Sequence, residues 1–292
     1  MTKTDPAARP TWLITGTSGR VGRMLMNAWR AAPPSARLLR QLRAESADRS
    51  SPTEVIWDPV AGPLPAALPP IDCLIAYAGI TPAYGADLGL NAALADATLR
   101  AAADAGIPRV LVTSSSSVYG VPEDGMAADE ETPLRPVNAY GSSKAAMEEV
   151  CARWSDRGLE ICCLRIGNVA GADALLLNGM AAQGAPLRID QFADGSGPLR
   201  SYIGPATLAR VTASLAARPG PLPFAVNIGS PVPVAMADLA DAAGFPWNWQ
   251  IAPPTAHQKI TLDTSLLQSI FSFEEGESSP AEMARQWLAC TR

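Results

Sequence analysis

Trp12-Leu13-Ile14-Thr15-Gly16-Thr17-Ser18-Gly19-Arg20-Val21-Gly22 is an apolar run that breaks into three glycines at three-residue intervals. The run reads as a buried strand. Beyond it Val21, Met24, Leu25, Ala28 and Trp29 recur at the spacing of one helix face, so the glycines form a turn between strand and helix. Gly16 permits the tight turn, Gly19 lets backbone N–H groups approach a pyrophosphate at the positive end of the helix, and Gly22 lets the helix lie close on the strand. A dinucleotide is therefore the expected ligand. The competing reading, an ordinary glycine turn, is outweighed by the strand before it and the helix after it.

The same alternation continues along the chain. Strand-like runs at 11–15, 37–42, 54–57, 73–77, 109–113 and 161–165 alternate with helical stretches near 20–31, 90–105 and 139–154, and Pro/Gly-rich breaks fall at 31–35, 59–70 and 80–85. This predicts an α/β fold of the Rossmann type: a doubly wound parallel sheet with helices on both faces. After residue 166 the pattern loosens into short pieces, while the helix from Pro205 to Ala217 and the strand Ala225-Val226-Asn227-Ile228 return to the main sheet. The expected organisation is a dinucleotide-binding domain over 1–166 and a small, discontinuous C-terminal lobe over 167–292, with about 203–229 rejoining the first.

The 292 residues, 48% hydrophobic and 17% charged, have the composition of a soluble globular protein, and the net charge of −5 argues against a general nucleic-acid surface. No apolar run approaches the ~20 residues that span a bilayer, and Met1-Thr2-Lys3-Thr4-Asp5-Pro6 lacks a signal-peptide core, so no membrane partner and a cytoplasmic setting are expected. Five cysteines without a C-x-x-C pair read as buried thiols, with adjacent Cys162 and Cys163 on opposite strand faces. His257 stands alone, and one histidine without a Cys/Asp/Glu cluster predicts no metal site.

Chemistry enters with Tyr140-Gly141-Ser142-Ser143-Lys144. Four residues apart on a helix, Tyr140 and Lys144 share a face, and an ammonium near a phenol favours the phenolate, making Tyr140 a candidate acid/base at neutral pH. By itself Y-x-x-x-K is a common chance spacing. The run Arg109-Val110-Leu111-Val112-Thr113, however, leads a buried strand straight into Ser114-Ser115-Ser116-Ser117, placing hydroxyls at the strand's C-terminal end, where open α/β sheets bind ligands. Most of these serines are expected to be structural, as caps of a following turn.

With these motifs the chain resembles the extended short-chain dehydrogenases/reductases, in particular the NAD-dependent epimerase/dehydratase family of UDP-galactose 4-epimerase-like enzymes. The resemblance runs from about Trp12 to Trp287 and includes Ser-Ser-x-x-Val-Tyr-Gly at 114–120, Arg165-Ile166-Gly167-Asn168-Val169, and Gly197-Pro198-Leu199-Arg200-Ser201-Tyr202-Ile203. It implies Ser115, Tyr140 and Lys144 as catalytic residues, and Ser115, Asn168 and Arg200 as substrate ligands, the latter two at the substrate's diphosphate. For the dinucleotide it implies Gly16, Ser18, Gly19, Arg20, Val21 and Gly22, then Asp58 at the adenine, Tyr77, Ala78 and Gly79 at the nicotinamide ribose, and Asn91, Thr113, Tyr140 and Lys144. It further implies hydride transfer on a sugar or nucleotide-sugar hydroxyl or keto group, and the family admits a homodimer.

Two features depart from the family's pattern. The second strand ends in Arg40-Gln41-Leu42-Arg43, with no acid until Glu45, so Arg40 and Arg43 tilt the coenzyme choice from NAD toward NADP. The stretch between Val169 and Leu187 is short and apolar, and Gly204-Pro205-Ala206-Thr207 replaces the usual acid after the Arg-x-Tyr-Ile motif. Three readings stay open: a nucleotide-sugar epimerase or dehydratase, an NADP-dependent reductase of a smaller carbonyl compound, and a non-catalytic dinucleotide-sensing regulator. The intact Ser115, Tyr140 and Lys144 count against the third. Ser116-Ser117, where dehydratases of the family carry Asp-Glu, count against the dehydratase branch.

Overall fold

A computed structural model describes residues 9–43, 51–82, 86–121 and 125–291; Met1 to Pro6 and Glu45, used above, lie outside them, as does part of the 80–85 break. The strands and helices in chain order are β1 (Thr11–Thr15), α1 (Arg20–Ala31), β2 (Arg37–Leu42), β3 (Glu54–Ile56), β4 (Cys73–Ala76), α2 (Leu90–Asp104), β5 (Arg109–Ser115), α3 (Ala139–Ser155) and β6 (Glu160–Ile166). There follow β7 (Asn168–Val169), α4 (Ala174–Ala181), β8 (Leu187–Gln191), β9 (Leu199–Arg200), β10 (Tyr202–Ile203), α5 (Pro205–Ala217) and β11 (Ala225–Ile228). The chain closes with β12 (Val234–Ala235), α6 (Met236–Ala242), β13 (Trp247–Ile251), β14 (Lys259–Ile260), α7 (Ser265–Ile270) and α8 (Pro280–Thr291).

Seven strands form one parallel sheet in the order β11-β6-β5-β4-β1-β2-β3. The order reverses between β1 and β4. Loops leaving those two strands diverge and open a crevice at their C-terminal ends. Alternation along each strand feeds two apolar layers: Trp12 and Ile14 pack on one face with Met24 and Leu25 of α1, while Leu13 packs on the other with Leu99 of α2 and Val150 of α3. Cys162 and Cys163 divide between the same two layers, and all five cysteines are buried free thiols. The expected Rossmann-type α/β fold is the fold observed.

The small lobe is assembled from short pairings across long sequence distances. β13 runs parallel to β8, β9 lies between β12 and β14, and β10 pairs with β7. Among the described residues no helix is long and apolar enough to cross a membrane.

Candidate active site

The glycine turn is shaped by the backbones it touches. Gly16 adopts φ +73°, and a side chain there would enter the Tyr77-Ala78 backbone; one on Gly22 would enter the carbonyl of Gly16. Gly19 N donates to Gly16 O at 3.0 Å, and α1 begins without a side-chain cap. Only glycine fits this cradle, which is the space and N-terminal polarity that a pyrophosphate requires.

Across the crevice, α3 starts on Asn138, whose Oδ1 accepts from Gly141 N at 2.8 Å. Gly141 then brings the helix against the serine turn, for a side chain at 141 would enter the carbonyl of Ser117. Ser115 ends β5 and caps that turn, its Oγ accepting from Ser117 N at 3.2 Å. Lys144, only 3% exposed, runs beneath: its Nζ donates to Thr113 O at 2.9 Å and stands where a side chain at Gly79 would meet it at 3.1 Å. Thr113 Oγ1 is buried without a hydrogen-bond partner.

The electrostatics correct one expectation. Tyr140 is raised, not lowered: burial pushes its phenol up and the hydrogen bond with Ser115 pulls it part of the way back, while the Lys144 ammonium is turned to the Thr113 carbonyl. Lys144 itself is pushed down to about 8 by burial, with Cys151, Cys163 and Glu148 opposing the shift.

A cavity of about 270 Å³ joins Gly16, Gly19, Arg20, Val21 and Gly22 to Tyr77, Gly79, Thr113, Ser115, Tyr140, Lys144 and Asn168. Thr81, Ser114, Ile166, Gly167, Val169, Ala172 and Asp173 also line it, though none was expected there from sequence; the run 166–169 leaving β6 was the available signal. The remaining expected residues stand elsewhere. Ser18, Ala78 and Asp58 are outside the lining, and Asn91 is buried behind it, bracing Ile80 through bonds of 2.8 and 3.0 Å and Ser143 at 3.1 Å. Arg43 is exposed at the end of β2, and Arg40 pairs with Glu54 on the neighbouring strand. Arg200 lines a second, smaller cavity that shares Gly167 and Asn168 with the first. Its guanidinium donates to the carbonyls of Leu199, His257 and Gln258 at 2.8 Å, and among the described residues no carboxylate forms an ion pair with it.

A glycine cradle at the sheet's reversal point, facing a Ser–Tyr–Lys cluster, is the arrangement of a dinucleotide-binding Rossmann-type fold. The chain belongs to the NAD dependent epimerase/dehydratase family, whose pattern matches residues 12–202. Among characterised relatives, UDP-glucose 4-epimerase of Streptococcus mutans is 31% identical over 161 residues, 47% of this chain and 48% of that one. UDP-glucose 4-epimerase of Lactobacillus helveticus is 40% identical over 78 residues, 26% and 23% of the two chains. These matches thus span about half or less of the relatives' length. Solved structures match over nearly the whole chain in fold. The UDP-glucose-4-epimerase of Stenotrophomonas maltophila with bound NAD and formylated UDP-arabinopyranose has a TM-score of 0.77 at 18% identity, covering 97% of this chain and 98% of that one. The Thermus thermophilus UDP-glucose 4-epimerase complex with NAD has 0.71 at 20% identity, covering 95% and 99%.

Proposed function

We propose that the chain is a nicotinamide-dinucleotide-dependent epimerase or oxidoreductase of a nucleotide sugar, with residues 1–166 holding the dinucleotide, 167–292 forming most of the substrate lobe and about 203–229 rejoining the first part. The observation that carries this reading is the single cavity in which Ser115, Tyr140 and Lys144 face the glycine cradle. A dinucleotide held in the glycine cradle would supply reversible hydride transfer at a sugar carbon. The remaining work falls to side chains. Tyr140 Oη removes the proton of the hydroxyl on that carbon and gives it back, while Ser115 Oγ hydrogen-bonds the same oxygen and keeps it in reach. Lys144 supplies the buried positive charge that favours the Tyr140 phenolate as substrate and coenzyme exclude water, and holds the coenzyme's ribose. Asn168 and Arg200 take the anionic part of the substrate. A half-buried guanidinium that donates to three carbonyls and, among the described residues, pairs with no carboxylate favours a diphosphate-bearing sugar over a neutral carbonyl compound.

Coenzyme choice falls to the end of β2. Gln41 and Leu42 offer no carboxylate to ribose hydroxyls, and Arg43, exposed just past the end of β2, is the residue we assign to a 2′-phosphate, favouring NADP over NAD. The test is incubation with UDP-, dTDP- and GDP-hexoses and each coenzyme, reading epimer formation and coenzyme absorbance. Conversion of at least one nucleotide sugar is expected. Tight coenzyme binding without conversion of any, or conversion of small keto compounds alone, refutes the reading.

A further inference from the structure

Tyr140, Lys144 and Glu148 follow one another at four-residue intervals along α3, so they climb one helix face in successive turns. Glu148, 3% exposed, lies beneath the cavity that the other two line. Its carboxylate is held on three sides. Ser114 Oγ donates to Oε1 at 2.5 Å, Arg165 Nε reaches both oxygens at 3.2 Å, and Arg165 Nη2 donates to Oε2 at 2.8 Å. Arg165 Nη1 in turn donates to the Tyr119 hydroxyl and to Glu130 O, both at 2.9 Å, and the Tyr119 hydroxyl donates to Asn227 Oδ1 on β11 at 2.7 Å. Ser114 precedes Ser115, and Arg165 stands three residues before Asn168.

Stability alone is a poor account of this pair. Desolvating two charges offsets most of their attraction, and an apolar pair of similar volume often serves as well. Placement is a better one, because the carboxylate ties the helix carrying Tyr140 and Lys144 to the ends of the two strands that carry Ser115 and lead to Asn168, and reacting groups tolerate only small misplacement. We propose that Glu148 is a positioning residue of the reaction: through Ser114 and Arg165 it sets Ser115 and the approach to Asn168 against α3, and it keeps an anion beneath Lys144. The inference rests on the proposed roles of Ser115, Tyr140 and Lys144.

Lys144 is faced by Met147, Glu148 and Cys151 from its own helix, by Cys163 from β6, by the Thr113 carbonyl from β5 and by Gly79 after β4, and it shares a cavity wall with Tyr140 and Ser114. Cys151, Cys163 and Glu148 all favour the ammonium, and Glu148 is the carboxylate among them. Removing that anion should make Lys144 release its proton at lower pH.

The chain contains only three lysines, Lys3, Lys144 and Lys259, so protein labelled with [ε-13C]lysine should give a titration in which Lys144 is assigned by its loss in Lys144→Met. In Glu148→Gln, which keeps volume and an acceptor for Ser114, the Lys144 midpoint should move to lower pH. With the converted nucleotide sugar, kcat should drop about ten- to a hundredfold with KM within about threefold, and the alkaline limb of kcat should move to lower pH with the Lys144 midpoint. Because Glu148→Gln leaves the Arg165 guanidinium without its counter-charge, the neutral double variant Glu148→Gln/Arg165→Met is measured beside it. If the single variant does not fold, the double variant decides by the same readouts. An unmoved Lys144 midpoint in folded protein overturns the proposal even if kcat falls, since a merely structural defect would do that. A shifted midpoint in a protein that converts no nucleotide sugar supports the placement while sinking only the reading of function.

Discussion

At Tyr140 the buried phenol is bonded to Ser115 and held up by burial, so it carries its proton at neutral pH until a bound substrate and coenzyme change its surroundings. Tyr140→Phe keeps the ring and deletes only the proton carrier; turnover should fall ~10²–10⁴-fold with coenzyme affinity by calorimetry nearly unchanged, and parental turnover would rule out the proposed acid/base. Ser115→Ala should show a smaller loss of the same kind. Lys144 makes a prediction about pH and stability. Its folded pKa, about 8, lies below the ordinary 10.5, so the unfolded chain binds more protons between those values and this residue's contribution to stability rises with pH across that window. Below pH 8 the buried ammonium is a burden on the order of 3 kcal/mol. Lys144→Met should therefore be the more stable protein at pH 7 in urea titrations, with the gap closing toward pH 10; a constant gap would mean the lysine is not strained by burial. Arg43→Ala addresses the coenzyme: if the guanidinium reads a 2′-phosphate, the preference for NADP should shrink about ten- to a hundredfold while NAD affinity stays put.

At the scale of elements, the approach of α3 to the serine turn is as exacting as the packing of the glycine cradle itself. Gly141→Ala puts a methyl into the Ser117 carbonyl, and backbone cannot step aside as a flexible side chain would, so the first turn of α3 must retreat and carry Tyr140 away from Ser115. We expect kcat to fall at least about tenfold with the circular dichroism spectrum unchanged; parental kcat would show that the close approach is dispensable. Gly141 stood in plain view in the Tyr-Gly-Ser-Ser-Lys run, yet its job depends on a turn two dozen residues upstream, which no spacing along α3 reveals. The long elements were legible. α1, β2, α5 and β11 have the bounds that periodicity and punctuation indicated, because each presents several residues to a core and ends at a glycine, proline or polar break. β5 and β6 extend one or two residues past their expected ends, up to Ser115 and Ile166, since hydroxyl and glycine neighbours at a ligand-binding edge mask a strand's continuation. The small lobe was not legible beyond its looseness. β9 and β14 are two residues each and pair across about sixty positions, too short to show a period and too far apart to show a hairpin. Glu148 escaped for a related reason: its partners Ser114 and Arg165 lie on two other elements.

Across the whole molecule, the last helix joins parts that the sequence separates. α8 packs against α1 beneath the glycine cradle, against α5, and against α6 of the small lobe, and Asn27 Nδ2 of α1 donates to Cys290 O at 2.8 Å. Its Trp287, 4% exposed, lies on the α-carbon of Gly171, which adopts φ +88°, and against the Phe245 ring at 6.0 Å between centroids. One side chain thus fills the space between the end of β7, the start of α4 and the approach to β13. Trp287→Ala should cost about 3–5 kcal/mol, a large part of the ~5–15 kcal/mol by which a folded domain is stable. Because the indole touches both parts, the loss should appear as a lower urea midpoint of one shared transition with an unchanged slope, not as early melting of the lobe alone. Trp287→Phe should cost less, since the indole Nε1 has no hydrogen bond to lose and only part of the ring volume goes. Saturating dinucleotide, at about a hundred times its Kd, should restore roughly 2.7 kcal/mol to the whole transition. Two separate transitions, or a dinucleotide effect confined to one of them, would mean that α8 does not couple the glycine cradle to the small lobe.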